Sequence, residues 1–369
     1  MTVDKLTKYL EDWAPPGIAW DRDNVGLQVG SRKQKIKNVM LSLDISLEVL
    51  KEAAQKNCNL VISHHPIIFT PIKKLDTDSD SKSQIIKFAL DKNITIFSMH
   101  TNLDFVKNGV SFALAKKMNL QNIEFLESIQ SSQFKISVFA PIDAADKISK
   151  AMFESGAGII GEYSECSFRT SGTGTFRGSA NTNPTIGKKN NFEMVSEIKI
   201  ECVVDSWNLS RVINSIKKNH PYEEPAYDVF PMQNKNINYG IGAIGHLKNE
   251  MNEKKFLAYV KSSLKCSSFR YAKGKEKIKT VAVCGGSGGD LLNKSIAVGA
   301  DAFITADLKY HQFQEAENKI LLIDAGHFET EIFGVKVLKE KIENYLKDNK
   351  GTSVFEFKGS TNPVKFYKQ

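Results

Sequence analysis

The sequence has no Cys-x-x-Cys pair. Its five cysteines (Cys58, Cys166, Cys202, Cys266 and Cys284) are scattered. That argues against a disulfide framework and a cysteine-ligated zinc knuckle, and it suits a reducing cytoplasm. No apolar run approaches the roughly 18 residues a transmembrane helix needs. Residues 1–13 carry charges throughout and lack the apolar stretch of a secretory signal. The expectation is therefore a cytoplasmic protein with no membrane partner. Coiled-coil heptads and low-complexity tails are missing, as are a P-loop, a zinc finger and an RNA-binding aromatic motif.

What is present is ordinary for a globular protein. The chain has 369 residues, 41% apolar and 25% charged, enough for two or three domains. The net charge of +8 is concentrated, with ten Lys/Arg against three Glu between Lys248 and Lys279. Within 252–265, Phe256, Leu257, Val260 and Leu264 fall at helical spacing. A solvated helix face followed by a Lys-rich turn is thus a simpler reading than a nucleic-acid surface.

Residues 2–13 read as an amphipathic helix with Thr2 as N-cap and Trp13 on its apolar face, stopped by Ala14-Pro15-Pro16-Gly17. Met99, Trp13 and Trp20 are expected in the core. Strands at 38–45, 60–63 and 94–99 alternate with helices at 46–54, 83–92 and 109–118. The alternation resumes with strands at 278–284, 302–305 and 320–324 and helices at 290–298, 312–318 and 329–346. This predicts an α/β fold of mainly parallel sheets flanked by helices, formed from two chain segments, 1–127 and 236–369. The interval 128–235 differs. Strands at 134–140 and 197–204 and helices at 143–154 and 208–219 surround a Gly/Ser/Thr/Asn-rich stretch, 170–191, that suggests long turns. That order suits an inserted ferredoxin-like α+β module.

In open α/β sheets, ligands collect beyond the carboxyl ends of the strands. Ser63-His64-His65-Pro66 lies at such an end. The next strand ends in Met99-His100-Thr101-Asn102-Leu103-Asp104. In the second half, Leu322-Ile323-Asp324-Ala325-Gly326 runs into His327-Phe328-Glu329-Thr330-Glu331, where His327 and Glu331 are four apart and share a helix face. The candidate metal ligands are His64, His65, Asp104, His327 and Glu331, with His100 as a ligand-orienting or proton-relaying group. So many N/O groups exceed one tetrahedral site and fit two divalent ions with a shared carboxylate. The donor set does not choose among Zn, Fe, Mn, Ni and Co. Singly, each residue also has a structural reading as a cap or a surface pair.

The turn Cys284-Gly285-Gly286-Ser287-Gly288-Gly289-Asp290 could present backbone N–H groups to a phosphate or carboxylate, or could be only a tight turn. Cys284 reads as packing. Asp307, Lys309 and His311 could line a substrate side. The cluster from His220 to Asp228, with two prolines and two tyrosines, reads first as packing.

Six segments stand in a recognisable order: WDRDNVGLQVG (20–30), SHHP (63–66), HTNLD (100–104), CGGSGGDLL (284–292), TADLKYHQ (305–312) and DAGHFETE (324–331). Together they resemble the Nif-three-like dinuclear metal-centre family, the GTP cyclohydrolase 1 type 2 homologues, over nearly the whole chain. HPYEEPAYDV (220–229) is similar to the longer bacterial members, whose inserted module is similar to small signalling-trimer folds. The resemblance implies a two-metal site at His64, His65, Asp104, His327 and Glu331, with Glu331 bridging. It also implies a homohexameric toroid whose sites face an internal cavity. The departures, Ser111 where many members have Asn and Ala306 where Gly is usual, touch no proposed ligand. The expected activity is a metal-dependent hydrolase acting on a small anionic molecule, with a purine nucleotide compatible with the site. The alternative is a non-enzymatic metal-holding or ligand-sensing hexamer.

Overall fold

Hydrophobic strands without polar alternation must be covered on both faces, and this requirement shapes the larger part of the chain. The computed structural model describes residues 1–129, 132–348 and 351–367. The chain forms two compact units, Met1–Glu127 with Tyr239–Gln369, and Ser128–Asn238.

The first unit holds two sheets. One has five strands in the order Gly26–Val29, Thr95–Ser98, Cys58–Ser63, Asn38–Ser42, Val354–Glu356. The last four are mutually parallel, and Gly26–Val29 is antiparallel to its neighbour. Cys58–Ser63 and Thr95–Ser98 are buried at every position. Helices Leu47–Gln55 and Ser81–Asp91 cover one face; their N-caps Ser46 and Asp80 accept backbone N–H bonds from Val49 and Ser83.

The other sheet has six strands in the order Arg270–Ala272, Leu321–Asp324, Ala302–Ala306, Lys277–Ser287, Gly240–Asn252, Gln121–Ser128. Its centre is parallel and its flanks are antiparallel. Helices Val110–Lys117 and His327–Tyr345 pack on each other and on Lys277–Ser287. Gly334 lets them close, since a Cβ there would stand 2.9 Å from Val110 Cγ2. His327–Tyr345 also touches Asn38–Ser42 and Val354–Glu356, so one helix spans both sheets. Helix Glu253–Leu264 buries Phe256, Val260 and Leu264, each worth roughly 1.5–3 kcal/mol. The basic stretch around it is therefore the solvated side of an anchored helix, with Lys275 paired to Asp301 at 3.0 Å.

The second unit is one antiparallel sheet, ordered Phe168–Arg177, Phe192–Asp205, Gln133–Pro141, Tyr227–Pro231. Helices Ala145–Glu154 and Ser206–Asn219 pack on it over a core that includes Ile136, Ile148, Met152, Ile200, Val212 and Ile216. His220 is buried; its Nε2–H donates to the Phe139 carbonyl at 2.9 Å and its Nδ1 accepts from Tyr222 N–H at 3.1 Å.

Several expectations need correction. The first part of the Gly/Thr-rich stretch is not a turn but the ten-residue strand Phe168–Arg177. Its residues are largely exposed, and continuous pairing with Phe192–Asp205 imposes the strand despite weak local propensity. Trp20 is 58% exposed rather than in the core. Its N–H is held by Thr101 Oγ1 at 3.1 Å, and its ring meets Phe105 edge-on at 5.6 Å. Trp13 is only half-buried, whereas Met99 is fully buried. Thr2 makes no side-chain cap.

Candidate metal centre

The two parallel strand ends and the start of the spanning helix deliver four imidazoles to one place. His64 is 2% exposed and donates Nδ1–H to the Met99 carbonyl at 2.8 Å. His65 Nδ1 lies 2.7 Å from Asp44 Oδ1, His100 Nδ1 lies 2.8 Å from Asp23 Oδ1, and His327 Nδ1 lies 2.6 Å from Asp307 Oδ2. Every Nδ1 is thus occupied, which leaves each Nε2 as the free nitrogen. Such outer partners fix the tautomer and orientation of metal-binding histidines.

The Nε2 atoms of His65 and His327 are 3.3 Å apart, and each is 3.0 Å from Glu331 Oε2. Those 3.0 Å contacts fall outside hydrogen-bond geometry, so Glu331 Oε2 is buried without a hydrogen-bond partner. His64 Nε2 and Asp104 Oδ1 are likewise buried and unpartnered, 3.6 Å from each other. His64 Nε2 also lies 3.7 Å from Glu331 Oε1. Two groups of possible ligands result, His64-His65-His100 and His65-His327-Glu331, with ligand atoms within 4.8 Å of one another in each. Buried polar atoms without partners cost several kcal/mol unless something satisfies them. A cation among them would do so, and the imidazole–carboxylate set fits a borderline divalent metal.

The electrostatics point the same way. Burial would lower the His65 pKa, but the Asp44 and Glu331 carboxylates outweigh it and push it up to about 10. For His327, Glu331 and Asp307 overcome burial and push it up to about 9. His64 is also raised, with Asp104 and Glu331 overcoming burial. Burial pushes Asp104 up to about 6 against the pull of His64. Burial also works against ionised Glu331, yet the surrounding histidines hold it well below the usual carboxylate range. Metal-free, the site holds protons where a cation would bind.

This sets a pH dependence. The pKa values of His65 and His327 in the fold lie above the ordinary 6.5. Their stabilisation is complete below 6.5 and is lost as pH rises through about 9 and about 10. Asp23 acts oppositely: His100 and Thr101 overcome burial and hold it at about 2 against an ordinary 3.8, so its contribution is lost only as pH falls through that range. The thermal midpoint of chelator-treated protein should fall as pH rises from about 6.5 to about 10. A flat profile there would contradict the clustered charges.

Glycines make room for Glu331. Gly286 has φ +62, and a Cβ there would lie far inside contact distance of Glu331 Oε1 and 3.3 Å from His327 Cε1. This corrects the anion-loop reading of the glycine stretch. Lys277–Ser287 continues as strand through Gly285 and Gly286. The N–H groups of Gly285, Gly286 and Gly288 donate to the hydroxyls of Ser111, Thr330 and Thr305, so they are not free to hold a phosphate. Cys284 is packing, its thiol buried and pushed up to about 12.

A cavity of about 410 Å³ opens beside the centre, with Asp44, His65, Asp307, His327, Phe269, Arg270, Phe328 and Phe366 among its lining. Asp307 therefore does double duty: it lines the cavity and holds His327. It has φ +56, and Ser287 Oγ also donates to its carboxylate. Lys309 and His311 are exposed and lie outside this lining. Asp23 and Asp44 were missed in the sequence. Asp44 had a usable signal: it follows Asn38–Ser42 by two residues, at the same sheet edge as His64 and His65.

The family model described as Duf34/NIF3 (NGG1p interacting factor 3) matches residues 1–363. The chain is 37% identical over 365 residues to a GTP cyclohydrolase 1 type 2 homolog of Halalkalibacterium halodurans, covering 98% of both chains. It is 34% identical over 366 residues to one of Bacillus subtilis, again covering 98% of each. Among solved structures it is similar to a Bacillus cereus protein related to NIF3, at 33% identity and a TM-score of 0.82, covering 100% of this chain and 99% of that one.

Proposed function

The chain belongs to the Duf34/NIF3 family, and on that premise we propose that it is a dinuclear metal-dependent hydrolase acting on a small anionic substrate. The observation that carries the reading is the convergence of His64 Nε2, Asp104 Oδ1 and Glu331 Oε2, all buried and none in a hydrogen bond. His64, His65, Asp104, His327 and Glu331 are the ligands in this reading, with Glu331 bridging. The two oxygens of Glu331 face different imidazoles, Oε1 at 3.7 Å from His64 Nε2 and Oε2 at 3.0 Å from the Nε2 atoms of His65 and His327, which supports two adjacent ions. Bound there, divalent ions would supply Lewis acidity to a substrate oxygen and to water.

The chain's own residues do the rest. Met99, Asp44 and Asp307 aim the imidazoles of His64, His65 and His327. Asp23 takes His100 Nδ1, which leaves Nε2 as the nitrogen that exchanges a proton beside the centre. The cavity admits a small molecule, and Phe269, Phe328 and Phe366 offer ring surfaces to it. The printed name of the relatives, GTP cyclohydrolase 1 type 2 homolog, makes a purine nucleotide the first substrate to try. We also read the protein as a cytoplasmic homohexamer, with residues 128–235 as a ferredoxin-like module.

The test is hydrolysis of nucleotides and phosphoesters by protein stripped of metal and reloaded singly with Zn, Fe, Mn, Ni or Co. Turnover should require metal and disappear in His64→Ala. Activity unchanged by that substitution would sink the reading. A second reading, ligand sensing without turnover, is supported by a cavity of about 710 Å³ in the second unit, lined by residues 170–178, Glu197, Lys199 and Tyr222 among others. It predicts tight metal binding with no hydrolysis of any panel member.

A further inference from the structure

The C-terminal segment supplies no candidate ligand, yet it reaches both halves of the metal centre. Strand Val354–Glu356 pairs in parallel with Val39, Met40 and Leu41, and Phe357 N–H continues the ladder to the Leu41 carbonyl at 2.9 Å. The chain then follows the sheet edge that carries Asp44 and His65. Thr361 Oγ1 donates to Asp44 Oδ2 at 2.5 Å, while Asp44 Oδ1 holds His65 Nδ1 at 2.7 Å. One residue later, Asn362 Nδ2 donates to Glu329 Oε1 at 3.1 Å, in the first turn of the helix bearing His327 and Glu331. Asn362 Oδ1 accepts from Val364 N–H at 2.9 Å, which fixes the orientation of that amide.

A carboxylate bonded through one oxygen can still rotate about Cβ–Cγ. Bonded through both, it presents its second oxygen in one direction. Asp44 has both oxygens engaged, one by the imidazole and one by Thr361. A site held to within a fraction of an ångström needs such outer support. We propose that Thr361 is a positioning residue of the metal centre, fixing the His65 imidazole through Asp44. This rests on the reading of His65 as a metal ligand.

Cobalt(II) is the probe, read by chelator competition and by its ligand-field absorption. Thr361→Val should weaken binding by about 3- to 10-fold, somewhat less than the loss of a direct outer partner, and should alter the absorption band. Thr361→Ser should restore both. In an Asp44→Ala background, Thr361→Val should add nothing. Metal-free thermal midpoints of the Thr361 variants should stay close to the parent; Thr361→Ala, which removes the hydroxyl and the γ-methyl together and adds no bulk, serves if valine disturbs folding. Wild-type affinity and spectrum in Thr361→Val, or an equal further loss in the Asp44→Ala background, overturns the proposal. His65→Ala separates the two levels. Unchanged cobalt binding there refutes the ligand reading and this inference with it. Binding lost in His65→Ala but intact in Thr361→Val refutes the inference alone.

Discussion

Glu331→Gln is expected to lower divalent-metal affinity by more than about 100-fold while the chain still folds. Losing an outer partner of a metal ligand costs roughly 10- to 100-fold, and Glu331 contacts His64, His65 and His327 directly. Removing a buried charge usually endangers the fold, because its partners are left uncompensated. Here the partners can adapt. Without the carboxylate, the imidazoles lose one of the charges that raise them and give up protons more readily. His65 and His327 keep part of their elevation from Asp44 and Asp307. The remaining cost is that of weakened polar contacts, about 1–3 kcal/mol. Two measurements separate these effects. Isothermal titration with Zn²⁺ should show binding lost, and the alkaline decline of the metal-free thermal midpoint should become shallower. Wild-type zinc affinity in this variant would remove Glu331 from the site.

The parts of the centre legible in the sequence are those that local pattern carries. A short apolar run ending in His64-His65 marks a strand end, and Met99 to Asp104 marks the next one. The four-residue spacing of His327 and Glu331 holds because the helix begins at His327, after Gly326 at φ +97. What local pattern could not carry are pairings across distance. Asp23 reaches His100 across 77 residues, and Asp307 reaches His327 across 20. The glycine stretch misled for the same reason: Ser111, which occupies one of its N–H groups, lies 174 residues away. Strand Gly240–Asn252 escaped notice because it begins with three glycines in six residues. Register with Lys277–Ser287, not propensity, makes it a strand.

Gly286 allows close approach and left-handed backbone to be told apart. Gly286 and Gly299 both have positive φ, +62 and +78. A Cβ on Gly299 meets nothing within 4 Å, whereas one on Gly286 collides with Glu331. Gly299→Ala should therefore pay only the conformational penalty, about 1 kcal/mol, seen as a midpoint lower by a few degrees with unchanged zinc affinity. Gly286→Ala carries that penalty and must also displace something. The backbone cannot retreat, because Gly286 N–H donates to Thr330 Oγ1 at 3.0 Å and its carbonyl accepts from Thr305 Oγ1 at 2.9 Å. Thr330 is itself fully buried and bonded to the carbonyls of Gly326 and His327. The movable group is the Glu331 carboxylate, which would swing away from His64, His65 and His327. Zinc affinity should then fall more than about tenfold, approaching the loss in Glu331→Gln. Combining the two substitutions should cost little beyond the larger single effect, since both take the same carboxylate out of the site. Full additivity in zinc binding would mean that Gly286 serves the site by some route other than clearance for Glu331.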